Sequence, residues 1–314
     1  MSKLFLIALG GNALIKADEV GTIHEQIKNI QNTCNELIDL IKEGHKIVIT
    51  HGNGPQVGNI LLQNEAGSII YNVPSMPLDV CVAFSQGFIG YIIEQQLKNL
   101  LIKNKIEREI VSLITQVLVD KNDPAFKNPT KPIGPYYTEE KAKEIMSITG
   151  SFFKEDPRGR GWRKVVPSPK PIDILNKNII KKIVEEGTIV IAVGGGGIPV
   201  FYDDDGYLKG IEAVIDKDLA SALLASKINA DEFIILTDVP KVYLNYNKPN
   251  QKALDYLTIK EAQIYLEEGH FSEGSMKPKV EACIKFLSNG GKFAKITSIE
   301  AFKNSNEGTI FVKA

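Results

Sequence analysis

"LFLIALGGNALIK", residues 4–16, closes an apolar run on Gly10-Gly11-Asn12, and the helical pattern after it starts late. A short apolar run without polar alternation reads as a strand buried on both faces, the mark of a mainly parallel sheet covered by helices. Strand packing alone does not ask for that ending, which points to something outside the sheet. The ending recurs. "THGNGPQVGN" (50–59) follows the run "KIVIT" (46–50), and "AVGGGGIPV" (192–200) overlaps the end of "TIVIAV" (188–193). Glycine there permits positive φ and lets backbone N–H groups approach an anion closely. The carboxyl ends of strands are also where open α/β sheets bind ligands. A helix over 54–64 would add its partial positive charge to the second turn.

Further strand-like runs fall at 109–119, 232–237, 292–297 and in the closing "TIFVK", with helix-like segments between them. The alternation predicts an α/β fold with a mainly parallel sheet. Ile23, Ile27, Ile30, Cys34, Leu37, Ile38 and Ile41 share one helical stripe, which Gly44 terminates. Residues 78–97 are apolar nearly all round, so that helix is either buried or covered by a second subunit, and a homodimer is expected. Helices are also expected over 216–228 and 277–288, with a capping box at Thr258 and Glu261 opening another.

Eight of the fifteen prolines lie between Pro124 and Pro171, along with the sole tryptophan, Trp162. That density excludes core helices and central strands. Residues 123–168 therefore read as an inserted, protruding lid, with Phe126, Tyr136, Tyr137, Phe152, Phe153 and Trp162 as its small core. The polar "YDDDGYLKG" (202–210) marks a second division, into lobes 1–210 and 211–314.

The bulk figures set bounds. The chain has 314 residues, 43% hydrophobic and 24% charged, with a formal net charge of −1. Such a balance gives no global attraction to nucleic acid or to anionic membrane. The longest apolar stretches are too short and too interrupted to supply the ~20 residues that a membrane helix needs. The N-terminus enters a strand at once, which reads as no signal peptide. Cys34, Cys81 and Cys283 are widely spaced within apolar helical patterns, as expected of buried, reduced thiols in a cytoplasmic protein.

The familiar phosphate motifs are missing. No G-x-x-x-x-G-K-[ST] occurs, Gly52-x-Gly54 and Gly194-x-Gly196 lack a third glycine, and the protein-kinase set is absent. A phosphate binder of another design remains. Phosphoryl transfer needs cations placed around a group whose charge spreads over its oxygens. Lys217 stands between Asp216 and Asp218 at a helix start, Lys277 in "EGSMKPKVEA" and Lys131 in "NPTKPIGPYY". Each also has a bland reading, as a terminal salt bridge, a first-turn lysine and a loop charge respectively. Asp216 reads as an organiser of the ammonium groups, a helix N-cap, or both. The four histidines form no metal-ligand spacing; His51 alone adjoins a glycine turn.

Taken together, "ALGGNAL", "THGNGPQVG", "AVGGGGIPV", "GIEAVIDKDLAS" and "GSMKPKVEA", with the proline-rich insertion, resemble the carbamate kinases of the amino-acid kinase superfamily over essentially the whole chain. The resemblance implies a three-layer αβα sandwich around a mainly parallel sheet of about eight strands, and a cytoplasmic homodimer. It implies the reversible reaction of ATP and carbamate to ADP and carbamoyl phosphate with Mg²⁺, commonly run towards ATP at the end of arginine breakdown. Carried over by position, Gly10, Gly11, Asn12, Gly52, Asn53, Gly54, Gly195 and Gly196 would hold carbamate and the phosphoryl group. Lys217 and Lys277 would carry transition-state charge, Asp216 would orient them, and Lys131 would reach down from the lid. The nucleotide would lie near Asp238, Val239, Tyr243, Met276 and Lys277, with Mg²⁺ held mainly by its phosphates. Two rivals are a sister kinase acting on another acyl anion such as N-acetylglutamate, which would need an arginine for the second carboxylate, and a non-catalytic nucleotide sensor.

Overall fold

The computed structural model describes residues 2–16, 18–156, 159–303 and 307–313, with Asn12 as backbone only. Its centre is one eight-stranded sheet. In spatial order the strands are Tyr256–Thr258, Thr309–Val312, Phe293–Ser298, Glu232–Thr237, Leu4–Leu9, Lys46–His51, Ile189–Ile191 and Ile110–Ser112. From Phe293–Ser298 to Ile110–Ser112 every pairing is parallel. Thr309–Val312 runs antiparallel to Phe293–Ser298 and parallel to Tyr256–Thr258.

Eight helices accompany these strands among the described residues: α1 Ile23–Lys42, α2 Gly54–Tyr71, α3 Leu78–Lys103, α4 Glu139–Thr149, α5 Lys177–Glu185, α6 Lys217–Ile228, α7 Ile259–Glu267 and α8 Met276–Ser288. Side chains alternate across a strand, so one run feeds two cores. Leu4, Leu6 and Ala8 pack with Ile180 of α5, Leu224 of α6 and Val280 of α8, whereas Phe5, Ile7 and Leu9 pack with Ile30 of α1 and Ile93 of α3. The result is a three-layer sandwich. The expected capping box of Thr258 with Glu261 opens α7, and the structure adds a second, Thr22 with Glu25, at the start of α1. On α3 the sheet-facing side is buried, while Phe84, Tyr91 and Ile102 are 47%, 61% and 67% exposed.

Two boundaries differ from the sequence reading. Residues 109–119 form two strands, Ile110–Ser112 in the central sheet and Gln116–Leu118 in a four-stranded side sheet. Between them Thr115 is clamped by the buried Gln86: its N–H donates to Oε1 at 2.8 Å and its carbonyl accepts from Nε2 at 3.1 Å. Meeting that amide turns the chain out of one sheet and into the other. Helix α2 runs on to Tyr71, past the expected end at 64, and stops where Asn72 takes the left-handed conformation.

The proline-rich segment folds as a small antiparallel sheet, with Trp162–Val166 flanked by Lys131–Tyr137 and Phe152–Glu155, and with α4 packed beside it. Pro132 and Pro135 sit on an edge strand, where a missing N–H is tolerated. Ile133, Ala142, Phe153, Val165 and Val166 are buried, but two expected core residues are exposed, Tyr136 at 37% and Phe152 at 61%. Phe153 takes the inner face, and pleating sends its strand neighbour Phe152 outward. The subdomain sits directly on α2: a Cβ on Gly58 would stand 2.0 Å from the Gly134 nitrogen.

Candidate active site

Four neighbouring strands, Glu232–Thr237, Leu4–Leu9, Lys46–His51 and Ile189–Ile191, end on the same edge of the sheet. All three glycine turns meet there. Their hydrogen bonding is more specific than a general supply of amides. The Gly10 N–H donates to the Leu236 carbonyl at 2.8 Å, and a Cβ at that position would lie 2.6 Å from the same oxygen. Packing therefore does require Gly10, contrary to the reading from the strand alone, and its amide is not available to a ligand. Gly52 likewise donates to Leu9 at 3.3 Å, and Gly196 to Val193 at 3.1 Å. Gly195, at φ +66, leaves room for the side chain of Asn53, whose Nδ2 would be 2.1 Å from a Cβ there. That Nδ2 donates to Ser85 Oγ at 2.8 Å.

The amides left without acceptors among the described residues are those that open helical turns. Gly11 heads the 3₁₀ turn Gly11–Ala13, with nothing within 4 Å of a Cβ placed on it. Asn53 and Gly54 open α2. Asn12 lies in the first of these turns, and its side chain is outside the described residues.

The lysines converge from three parts of the chain. Asp216 is the N-cap of α6, its Oδ1 accepting from the N–H groups of Asp218 at 2.9 Å and Leu219 at 3.2 Å. Its Oδ2 accepts from Lys131 Nζ at 2.6 Å, so Asp216 is both cap and ion-pair partner. Next to it, Lys217 Nζ lies 2.5 Å from Asp218 Oδ1, and Lys279 Nζ 3.0 Å from Asp218 Oδ2. Lys217 stretches over the second turn, its Cδ 3.7 Å from where a Gly52 Cβ would be. The Lys217–Asp218–Lys279 cluster is buried or nearly so, and its charges govern one another. Burial opposes ionisation of Asp218, but the two lysines overcome it and hold the carboxyl below its ordinary value. Burial lowers the Lys217 pKa, with Lys279 adding repulsion. Lys279 feels the same burial, yet Asp218 and Asp216 leave its pKa raised. Three lysines against two aspartates leave a net positive charge of one for an incoming anion.

Lys277 does not join this cluster. Its Nζ pairs with Glu273 at 2.6 Å, on the outer side of α8. Two residues on a helix are about 200° apart, so Lys277 and Lys279 face opposite ways. The expectation named Lys277, which the structure places outside the cluster, and not Lys279, which it places inside. It also missed Asp218, the partner of both inward lysines. The doubled spacings in "DKD" and "KPK" were the available signals, but without the helix phase they do not choose.

Of the expected nucleotide residues, Asp238 and Val239 follow directly on Glu232–Thr237 at the same edge, and Asp238 is close enough to contribute to the raised pKa of Lys279. Tyr243 lies in the small hairpin of Val242–Leu244 with Lys252–Leu254, its ring 5.7 Å from that of Tyr246. Met276 packs against the main core at the start of α8. The described arginines lie outside the lysine cluster: Arg108 donates to the Gly187 carbonyl, Arg160 grips Asp156, and Arg163 stacks on Tyr136. Arg158 is outside the described residues.

A family model described as the amino acid kinase family matches residues 3–298. The carbamate kinase of Pyrococcus furiosus is 51% identical over 308 residues, which cover 98% of each chain. Among solved structures, carbamate kinase from Giardia lamblia bound to citric acid superposes with a TM-score of 0.94 at 43% identity, covering 100% of this chain and 99% of that one. The same protein bound to AMP-PNP gives a TM-score of 0.89 at 44% identity, with the same coverage.

Proposed function

This chain belongs to the amino acid kinase family, among its carbamate kinases, and we propose how its residues divide the work of reversible phosphoryl transfer between ATP and carbamate. Carbamate and the migrating phosphoryl group sit at the glycine edge, over the amides of Gly11, Asn12, Asn53 and Gly54. Lys217 and Lys279 face the phosphoryl oxygens, where positive charge in a water-poor site stabilises the transition state most. Asp218 holds the two ammonium groups side by side, which their mutual repulsion would otherwise oppose. Lys131, tied to Asp216, brings the subdomain's charge to the same point and lets 123–168 act as a lid.

Residues 1–210 form the carbamate and phosphoryl lobe, and 211–314 the nucleotide lobe, with ATP or ADP against Asp238, Val239, Tyr243 and Met276. Asp216 and Asp218 are each committed to lysines, and no group of three or more His, Cys, Asp or Glu is placed to hold a metal among the described residues. That donor set fits Mg²⁺ carried by nucleotide phosphates and water, as its octahedral preference favours. When bound, such an ion would supply further positive charge to the phosphates. The enzyme works as a cytoplasmic homodimer through the apolar outer face of α3, in the ATP-forming direction at the end of arginine catabolism.

The buried Lys217–Asp218–Lys279 arrangement carries this reading. A coupled assay for ATP formed from ADP and carbamoyl phosphate tests it. Turnover with carbamoyl phosphate, and none with N-acetylglutamyl phosphate, is expected; no ATP from carbamoyl phosphate sinks it.

A further inference from the structure

We infer that His51 is a positioning residue for the phosphoryl site: its neutral ring fixes the Gly52–Asn53 peptide so that the Asn53 N–H faces the transferring group. The inference rests on the reading above, that the turn at 52–54 holds that group.

His51 ends the strand Lys46–His51 and is 1% exposed. Its Nδ1 lies 3.0 Å from the Gly52 carbonyl oxygen. A carbonyl can only accept, so Nδ1 carries the hydrogen and donates it. Burial pushes the ring's pKa down to about 4; the bond to Gly52 works against that shift and the charge on Lys217 adds to it. At neutral pH the ring therefore holds one proton, at Nδ1, and Nε2 is a bare lone pair. Lys217 is the charged group that acts on the ring, and a neutral imidazole leaves the positive charge of the site to the lysines.

The consequence lies one bond further on. A peptide is planar and trans, so its C=O and N–H point in opposite directions. Anchoring the Gly52 carbonyl to a buried ring turns the Asn53 N–H away from the core, at a turn over which the Lys217 side chain passes. The ring is itself immobilised, because Gly194 of the third turn packs against it: a Cβ there would be 2.4 Å from Nε2. One side chain thus sets the second glycine turn while being held by the third.

Asparagine and glutamine separate this role from simple core filling. Asparagine places an amide nitrogen near the Nδ1 position, whereas glutamine places one near Nε2 and matches the ring's volume better. We expect His51→Asn to keep kcat within about 5-fold of the parent. His51→Gln and His51→Leu should lose on the order of 10²-fold in kcat, the scale of one misaligned transition-state donor, with KM for ADP unchanged. A core filler predicts the reverse order, and His51→Gln as active as His51→Asn overturns the inference. Nitrogen NMR of histidine-labelled parent enzyme is a second reading that needs no variant. A protonated Nδ1 and unprotonated Nε2 at pH 7 support the assignment, and the opposite tautomer overturns it. An inactive parent removes the functional reading and this inference together, whereas an active parent with glutamine equal to asparagine removes only the inference.

Discussion

Lys279 Nζ, from the first turn of α8, donates to Asp218 Oδ2 at 3.0 Å, while the other oxygen of that carboxylate takes Lys217. One aspartate of α6 thus joins two lysines that are 62 positions apart in the chain. Two ammonium groups cannot be brought together in a poorly hydrated pocket without such a counter-charge, because each lowers the other's pKa and burial lowers both. The carboxylate is shared, so neither lysine is neutralised, and both remain donors towards whatever lies in front.

That geometry separates two lysines that look alike in sequence. Lys279→Ala should lower kcat for ATP formation by about 10²–10³-fold, the range for a lost transition-state donor. Lys277→Ala, which removes an outward pair with Glu273, should stay within a few-fold of the parent. Steady-state rates of the two variants side by side decide the matter. Equal losses would mean that Lys277 leaves Glu273 during turnover.

Asp218→Asn should cost more than activity. Breaking one side of a buried charge cluster costs about 3–5 kcal/mol, because the remaining charges are left uncompensated. The folded pKa of Asp218 lies below its ordinary value of 3.8, so its stabilisation is complete above that value and fades as pH falls through the folded pKa. The variant should therefore unfold at lower denaturant concentration at pH 7, with the gap to the parent narrowing in acid. Its activity should also fall at a lower alkaline pH than the parent's, because Lys217, already held down by burial, loses its counter-charge. Denaturation curves and a pH–rate profile measure the two effects.

Much of this fold is legible in the sequence because its signals are local. Unalternated apolar runs gave the strands, Thr258 and Glu261 gave a helix start, and proline density gave the subdomain. The features that escaped depend on distant partners. Gly10 is required by the Leu236 carbonyl, which lies 226 positions away. The split of 109–119 depends on Gln86, and the choice of Lys279 over Lys277 on the rotational phase of α8 about Asp218. Two of the three glycine turns look equally like phosphate cradles at Gly10 and Gly52, yet those two amides are bonded within the sheet edge.

The glycines Gly10 and Gly11 should consequently respond differently to the same substitution. Gly10→Ala forces a methyl group to within 2.6 Å of a backbone oxygen and should destabilise by about 1–3 kcal/mol, as overpacking does. Gly11→Ala meets nothing within 4 Å and should unfold with the parent while losing activity, because the methyl group enters the space assigned to carbamate and phosphate. Thermal unfolding together with the coupled assay reads both variants, and a fully active Gly11→Ala would remove that residue from the site.

The subdomain is tied to the site by Lys131 and Asp216, a pair that is only partly exposed. Lys131→Met should lower global stability by only about 1–3 kcal/mol, because Asp216 keeps its two backbone N–H donors when the charged hydrogen bond is lost. Hydrogen exchange should nevertheless quicken across 131–137 and 162–166, the two strands next to the tie, and kcat/KM for carbamoyl phosphate should drop. Unchanged exchange with unchanged kinetics would show that the pair neither holds the subdomain nor reaches the substrate.

His51 gives the protein an acid-sensitive component of stability separate from its place in the site. Its folded pKa of about 4 lies below the ordinary 6.5, so the unfolded chain takes up the proton more readily. Stability is therefore complete above pH 6.5, falls as pH drops from there to about 4, and is constant below. A separation of that size corresponds to ~3 kcal/mol across the window. The loss reverses on neutralisation if the chain refolds. His51→Asn has no ring to protonate, so the difference in unfolding free energy between parent and variant should move by that amount between pH 7 and pH 4, in the variant's favour. Chemical denaturation at several pH values measures it, and parallel curves would mean that the ring is hydrated enough to ionise in place.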